Sequence, residues 1–163
     1  PTSLFVNAFV FHYEKHLRTY KIANPADAFG HAGSTFPTEV EAYYKKDLSK
    51  TLAKASHQAV IDVFNGKSFK TGAEVYSIKA YLNELGAIDS KTKTNLSDII
   101  NAQFVIVNSK LDALSDNFST QITSDNQKML DAFDAMQTAV RLLKIDMTSA
   151  MSVTITYVDT DGD

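Results

Sequence analysis

Residues 127–147 read QKMLDAFDAMQTAVRLLKIDM, and the spacing of their apolar side chains decides the fold class. Met129, Phe133, Met136, Val140, Leu143 and Met147 recur at alternating intervals of four and three. That period gathers side chains on one face of an α-helix. A helix striped in this way has to bury its apolar face against other elements. Ser124 followed by Gln127 has capping-box spacing, which predicts a helix start between them. Because the methionines share their face with Phe133 and Val140, they read as core packing and not as a soft-metal site.

The same period recurs toward the N-terminus. Leu96, Ile100, Phe104, Val107, Leu111, Leu114 and Phe118 predict one long helix, and Val75, Ile78, Leu82 and Leu85 a shorter one closed by Gly86. Leu48, Leu52, Ala55, Ala59 and Val63 predict another long helix from near Asp47, with Gly66 as its C′ residue. Thr38 and Glu41 have capping-box spacing, so TEVEAYY (38–44) reads as a short helix. Residues 21–37 hold Pro25, Gly30, Gly33 and Pro37 and read as a long connection. A first helix runs from about Ser3 to Tyr20. Its opening half, Leu4 to Phe11, is apolar on every side and is expected to be buried all round. So apolar a beginning reads as an internal one, with the chain part of a longer protein that supplies the cover. The expected architecture is all-α: residues 1–163 as one helical bundle of about four long helices with one or two short ones.

The end of the chain, SVTITYVDTDGD (152–163), breaks the helical pattern. Val153, Ile155 and Tyr157 alternate with Thr154 and Thr156, and all of these types favour strands. A short C-terminal extended strand is therefore expected over 153–158, paired with other backbone, with Asp159, Asp161 and Asp163 in solvent. DTDGD resembles the opening of a calcium loop, but such a loop needs about twelve residues and a closing Glu.

With 44% hydrophobic and 21% charged residues and a net charge of -3, the chain has an ordinary globular composition. No basic stripe suggests a nucleic-acid surface. No apolar run approaches the roughly 18 residues of a membrane span. Cysteine is absent, which closes thiolate chemistry.

The candidate metal ligands are His12 and His16 in HYEKH (12–16), which share one helix face at a spacing of four. Peptidase chemistry on such a pair needs Glu directly after the first His. Glu14 instead lies about 200° round the helix from His12. A two-His site then needs a third ligand from another segment, and two partly exposed histidines are the plainer reading. His31 in a glycine turn and His57 in a helix read as structural. No Glu-x-x-His occurs, so a di-iron bundle centre lacks its ligands.

VEAYYKKDLSKTL (40–52), FNGKSF (64–69), INAQF (100–104), DNFSTQITSDNQKMLDAFDAMQ (116–137) and LLKIDMTSAMSVTITYVDTDGD (142–163) resemble, in this order, the C-terminal half of imelysin-like proteins. HLRTYKI (16–22), followed by a Pro- and Gly-containing loop, is similar to its counterpart there. The resemblance covers about residues 5–163. It implies a bacterial envelope protein, periplasmic or at the outer-membrane surface and lipid-anchored through a missing N-terminus, built from two helical bundles and acting in iron uptake. Its cofactor, iron or zinc, would be held mainly by the missing N-terminal half, the expected partner of this chain. The family's Gly-x-His-x-x-Glu motif is absent here: Lys15, Thr19, Ser34 and Val60 stand three places after the four histidines. No catalytic residue carries over, and a binding component is expected in preference to an enzyme. The alternatives are a zinc metallopeptidase half-domain and a structural or interaction module without metal.

Overall fold

The stripe at 127–147 does pack inward, and five further helices assemble around it. A computed structural model describes residues 2–158, so the expectation for Asp159, Asp161 and Asp163 lies outside the described residues. Helix α1 spans residues 2–26 as a continuous rod in which Thr2–Phe11 and Asn24–Ala26 are α-helical. Between them, His12–Ala23 is wound more widely, with bonds reaching five residues back, as from Asn24 N–H to Thr19 O. Helices α2 (Ser49–Asn65), α3 (Ile78–Glu84), α4 (Leu96–Asp112) and α5 (Phe118–Asp125) follow. Helix α6 covers residues 127–150, with a second wide stretch at Leu142–Met147.

Helix α6 packs on α1 and α4, and α2 packs on the same two helices, so the four long rods close a ring around one core. Val10, Leu17, Phe64, Phe104, Leu111, Met129, Met136, Leu143 and Met147 fill that core and are at most 1% exposed. Complete burial of each such side chain stabilises the fold by roughly 1.5–3 kcal/mol.

Several local expectations need correction. TEVEAYY forms turns and not a helix, because Ala42 adopts a left-handed conformation (φ 61°) that no right-handed helix passes through. Val40 in the core, and Glu41 held by Lys21 and by Ser49 Oγ (2.7 Å to its carbonyl), pin those turns. The stripe from Leu96 to Phe118 is split. Lys50 Nζ donates to the carbonyls of Asp112 and Leu114 (2.8 Å each), closing the end of α4. Asn117 Oδ1 then accepts from Thr120 N–H (3.1 Å) and caps α5. Ser124 caps nothing. It lies within α5 and its hydroxyl bonds back to the Thr120 carbonyl (2.8 Å). Gly66 does end α2. Its φ of 77° favours glycine, and a Cβ there would stand 2.3 Å from the Val75 carbonyl oxygen.

The apolar opening of α1 is only half covered. Val6, Phe9 and Val10 are buried, whereas Leu4 is 76% and Phe5 52% exposed.

Among the described residues no strand or sheet forms, and the expected C-terminal strand is an extended segment paired in another way. After Met151 the chain reverses at Ser152, which is left-handed (φ 54°), and Val153 N–H reaches the Thr148 carbonyl at 2.8 Å. Residues 153–158 then run back beside α1. The buried side chain of Asn7 receives them: its amide donates to the Thr154 carbonyl (3.0 Å) and its oxygen accepts from Thr156 N–H (2.8 Å). One carboxamide thus offers the donor and acceptor that a neighbouring strand would offer. Val153, Ile155 and Tyr157 are half-buried and Thr154 and Thr156 exposed, so the alternation read from the sequence holds although the partner is a side chain.

Asn7→Ala removes both bonds at once and is expected to cost about 1–3 kcal/mol in denaturant unfolding. Amide exchange at Thr156 should quicken sharply while exchange in the middle of α4 stays slow. Unchanged protection at Thr156 would show that Asn7 does not hold the segment.

Candidate functional site

The wide stretch of α1 carries two faces of opposite character. His12, His16 and Tyr20, four apart, face solvent, while Tyr13, Glu14, Leu17 and Arg18 are buried. Glu14 therefore does lie on the far side of the helix from His12. Its carboxylate, with no solvent exposure, is the centre of a polar cluster inside the bundle. Lys144 Nζ, from the wide stretch of α6, stands 3.1 Å from Glu14 Oε1, and Arg18 Nη2 stands 3.8 Å from the same oxygen. Tyr157 donates its hydroxyl to Glu14 Oε2 at 2.5 Å. Arg18 donates to Gln137 on α6 and to Thr19 Oγ1 (3.3 Å), and its guanidinium lies 5.4 and 5.8 Å from the ring centres of Phe29 and Phe133. Thr19 Oγ1 donates to the Glu14 carbonyl, five residues back, at 2.8 Å, reinforcing the wide winding.

A carboxylate taken fully out of water is tolerated only when paired and hydrogen-bonded. Here both oxygens are engaged, each by a group from the far end of the chain. The Tyr157 ring also packs edge-on against Phe11 (5.1 Å) and lies 5.8 Å from Lys144 Nζ. This cluster was not predicted from the sequence. Glu14 and Lys144 lie 130 residues apart, and no spacing rule joins them.

A second polar locus lies between α1, α2 and α4. His57 is 1% exposed, and its Nε2 is 3.0 Å from the Phe104 carbonyl, so it donates there as a neutral ring. Burial pushes its pKa down, with the Phe104 bond opposing, and burial pushes the Tyr13 hydroxyl well above its ordinary value. The Tyr13 hydroxyl and His57 Nδ1 have no hydrogen-bond partner among the described residues.

The predicted metal ligands do come together. The rings of His12 and His16 are 5.6 Å apart, and His12 Nε2 lies 3.2 Å from Ser56 Oγ on α2. They border an open cavity of about 600 Å³ that is also lined by Tyr20, Lys21, Glu39 and Glu41. Partial burial, then His16 and Lys21, lowers the His12 pKa and favours its neutral, ligating form. Among the described residues no three His, Asp or Glu side chains are grouped closely enough to hold a metal ion. His31 is exposed and stacks on Phe29 at 5.7 Å, remote in role from the pair. None of the helices formed by the described residues is long and apolar enough to cross a membrane.

The chain matches no known protein family, no curated protein and no solved structure.

Removing the central carboxylate should be far worse than removing one of its donors. Glu14→Ala leaves two cations turned toward an emptied acceptor and is expected to cost about 3–5 kcal/mol. Tyr157→Phe deletes one charge-assisted bond and is expected to cost about 1.5–3 kcal/mol. Chemical denaturation of the two variants measures both, and a Glu14→Ala cost below that of Tyr157→Phe would contradict the arrangement.

Proposed function

We propose that this helical domain is the C-terminal bundle of an imelysin-like bacterial envelope protein and serves iron or other metal uptake as a binding component. One observation supports that reading beyond the likeness of the segments. The stretches that carry the resemblance supply the groups around Glu14: Arg18 from HLRTYKI, Gln137 from DAFDAMQ, and Lys144 and Tyr157 from the closing segment. The most distinctive parts of the sequence therefore share one structural task, bracing the first helix against the last. That is the kind of rigid wall against which a second bundle, the N-terminal half, would close a binding site.

The interaction-module reading has an observation of its own. Phe5, Val63, Tyr76, Tyr81 and Met151 line an apolar groove of about 400 Å³, and Phe5, Val63 and Tyr76 are exposed. Exposed apolar surface of this kind commonly marks a contact with another protein. The two readings differ in whether metal is needed. A peptidase gains no such support: among the described residues no three His, Asp or Glu side chains are grouped to hold a metal ion, so the further ligands and the general base would have to come from the other half.

On the uptake reading, the chain alone should hold metal weakly, since tight sites draw on three or four protein ligands. Elemental analysis after dialysis is expected to find far less than one equivalent. Deleting the gene in its host is expected to slow growth when iron is withheld by a chelator and to leave growth in iron-replete medium unchanged. Equal growth of mutant and parent under chelation would contradict the uptake role.

A further inference from the structure

We propose that His12 and His16 form an open, labile site for a borderline divalent transition metal such as Zn²⁺ or Ni²⁺, with two imidazoles as its protein ligands and water completing the shell. This deepens the uptake reading: the biological use of the site rests on that reading, while its chemistry does not.

The geometry rests on the winding of α1. At four residues apart the two rings share a face, and their centres lie 5.6 Å apart at an angle of 37°. That separation lets one nitrogen of each reach a common ion at about 2.0–2.1 Å with small side-chain adjustments. His12 Nε2 is engaged by Ser56 Oγ at 3.2 Å. When that nitrogen donates to the hydroxyl, the lone pair is left on Nδ1, the outer-partner arrangement that commonly orients a metal-binding histidine. His16 is braced by aromatic edges, Phe11 at 5.5 Å and Tyr20 at 5.7 Å, which limits its rotamers. Both rings are exposed at an open cavity, so an ion can enter and leave without any change in the bundle.

Carboxylates offset the one positive charge on the cavity wall: Lys21 is paired with Glu41, and Glu39 lines the same cavity. Nitrogen ligands select zinc, nickel or copper over magnesium and calcium, which prefer oxygen. With two protein ligands the ion is held loosely, a property fitted to handing metal on and unsuited to storing it.

Isothermal titration of the chain with ZnCl₂, and separately NiCl₂, provides the test, with His12→Ala, His16→Ala and His31→Ala compared. The two ligands are exposed, so these substitutions should leave the fold intact, and circular dichroism checks that they do. One equivalent is expected to bind the parent. Either ligand variant should weaken binding by at least the roughly 10–100-fold that losing even an outer-shell partner costs, with His31→Ala unchanged. In NMR spectra, Ni²⁺ should broaden the ring signals of His12 and His16 before those of His31. Binding that survives both ligand variants, or a parent that binds neither ion, overturns the site. Neither result bears on growth under iron limitation, so the two failures remain distinguishable.

Discussion

A carboxylate without solvent contact sits in the middle of the first helix, and the arrangement of the chain's two ends follows from keeping it paired. An ionised side chain left alone in such a place costs several kcal/mol. Glu14 avoids that by drawing Arg18 from its own helix, Lys144 from the last helix and Tyr157 from the segment after it. Each donor sets a condition on the fold. The Lys144 contact fixes how far α6 is slid and rotated against α1. The Tyr157 contact requires the chain to turn back on itself, which it does through a left-handed Ser152. A non-glycine residue in that conformation costs of order 1–2 kcal/mol, a cost offset by Tyr157, by Asn7 and by the half-burial of Val153 and Ile155.

Both wide-wound stretches meet at this cluster. One carries Glu14 and Arg18, the other Lys144, and both interrupt otherwise regular α-helices. Wide turns of this type are rare and tend to occur where side chains must be re-aimed. Here the winding divides α1 into a buried charged face and an exposed histidine face. The histidine pair and the Glu14 cluster are therefore opposite sides of one helical stretch.

The all-helical class, the core stripe of α6 and the end of α2 at Gly66 were legible in the sequence because they are local: a period of three and four, or a glycine after a run of helix formers. The alternation at 153–158 was legible too, but its partner was not. Strand-forming residues indicate that backbone groups need satisfying, without saying that the carboxamide of Asn7, almost 150 residues away, will do it. Ser124 and Thr38 misled for one reason. Capping boxes are spacings of common residues: the left-handed Ala42 stops a helix from forming after Thr38, and the Asn117 cap starts α5 early enough that Ser124 falls inside it. The His12 and His16 pair could be read from spacing alone. The same spacing puts Glu14 on the opposite face, but nothing local marks that face as the core's polar centre, because Lys144 and Tyr157 come from the other end of the chain.

The central claim is that Glu14 and Lys144 are energetically joined across the bundle. A double-mutant cycle on Glu14→Gln and Lys144→Met, read by urea unfolding, measures that coupling directly. The structure predicts an interaction energy of about 1–3 kcal/mol, well beyond the 0.3–0.5 kcal/mol within which independent sites add. Strict additivity of the two substitutions would contradict it, and would mean that the Glu14–Lys144 pair does not join the first and last helices.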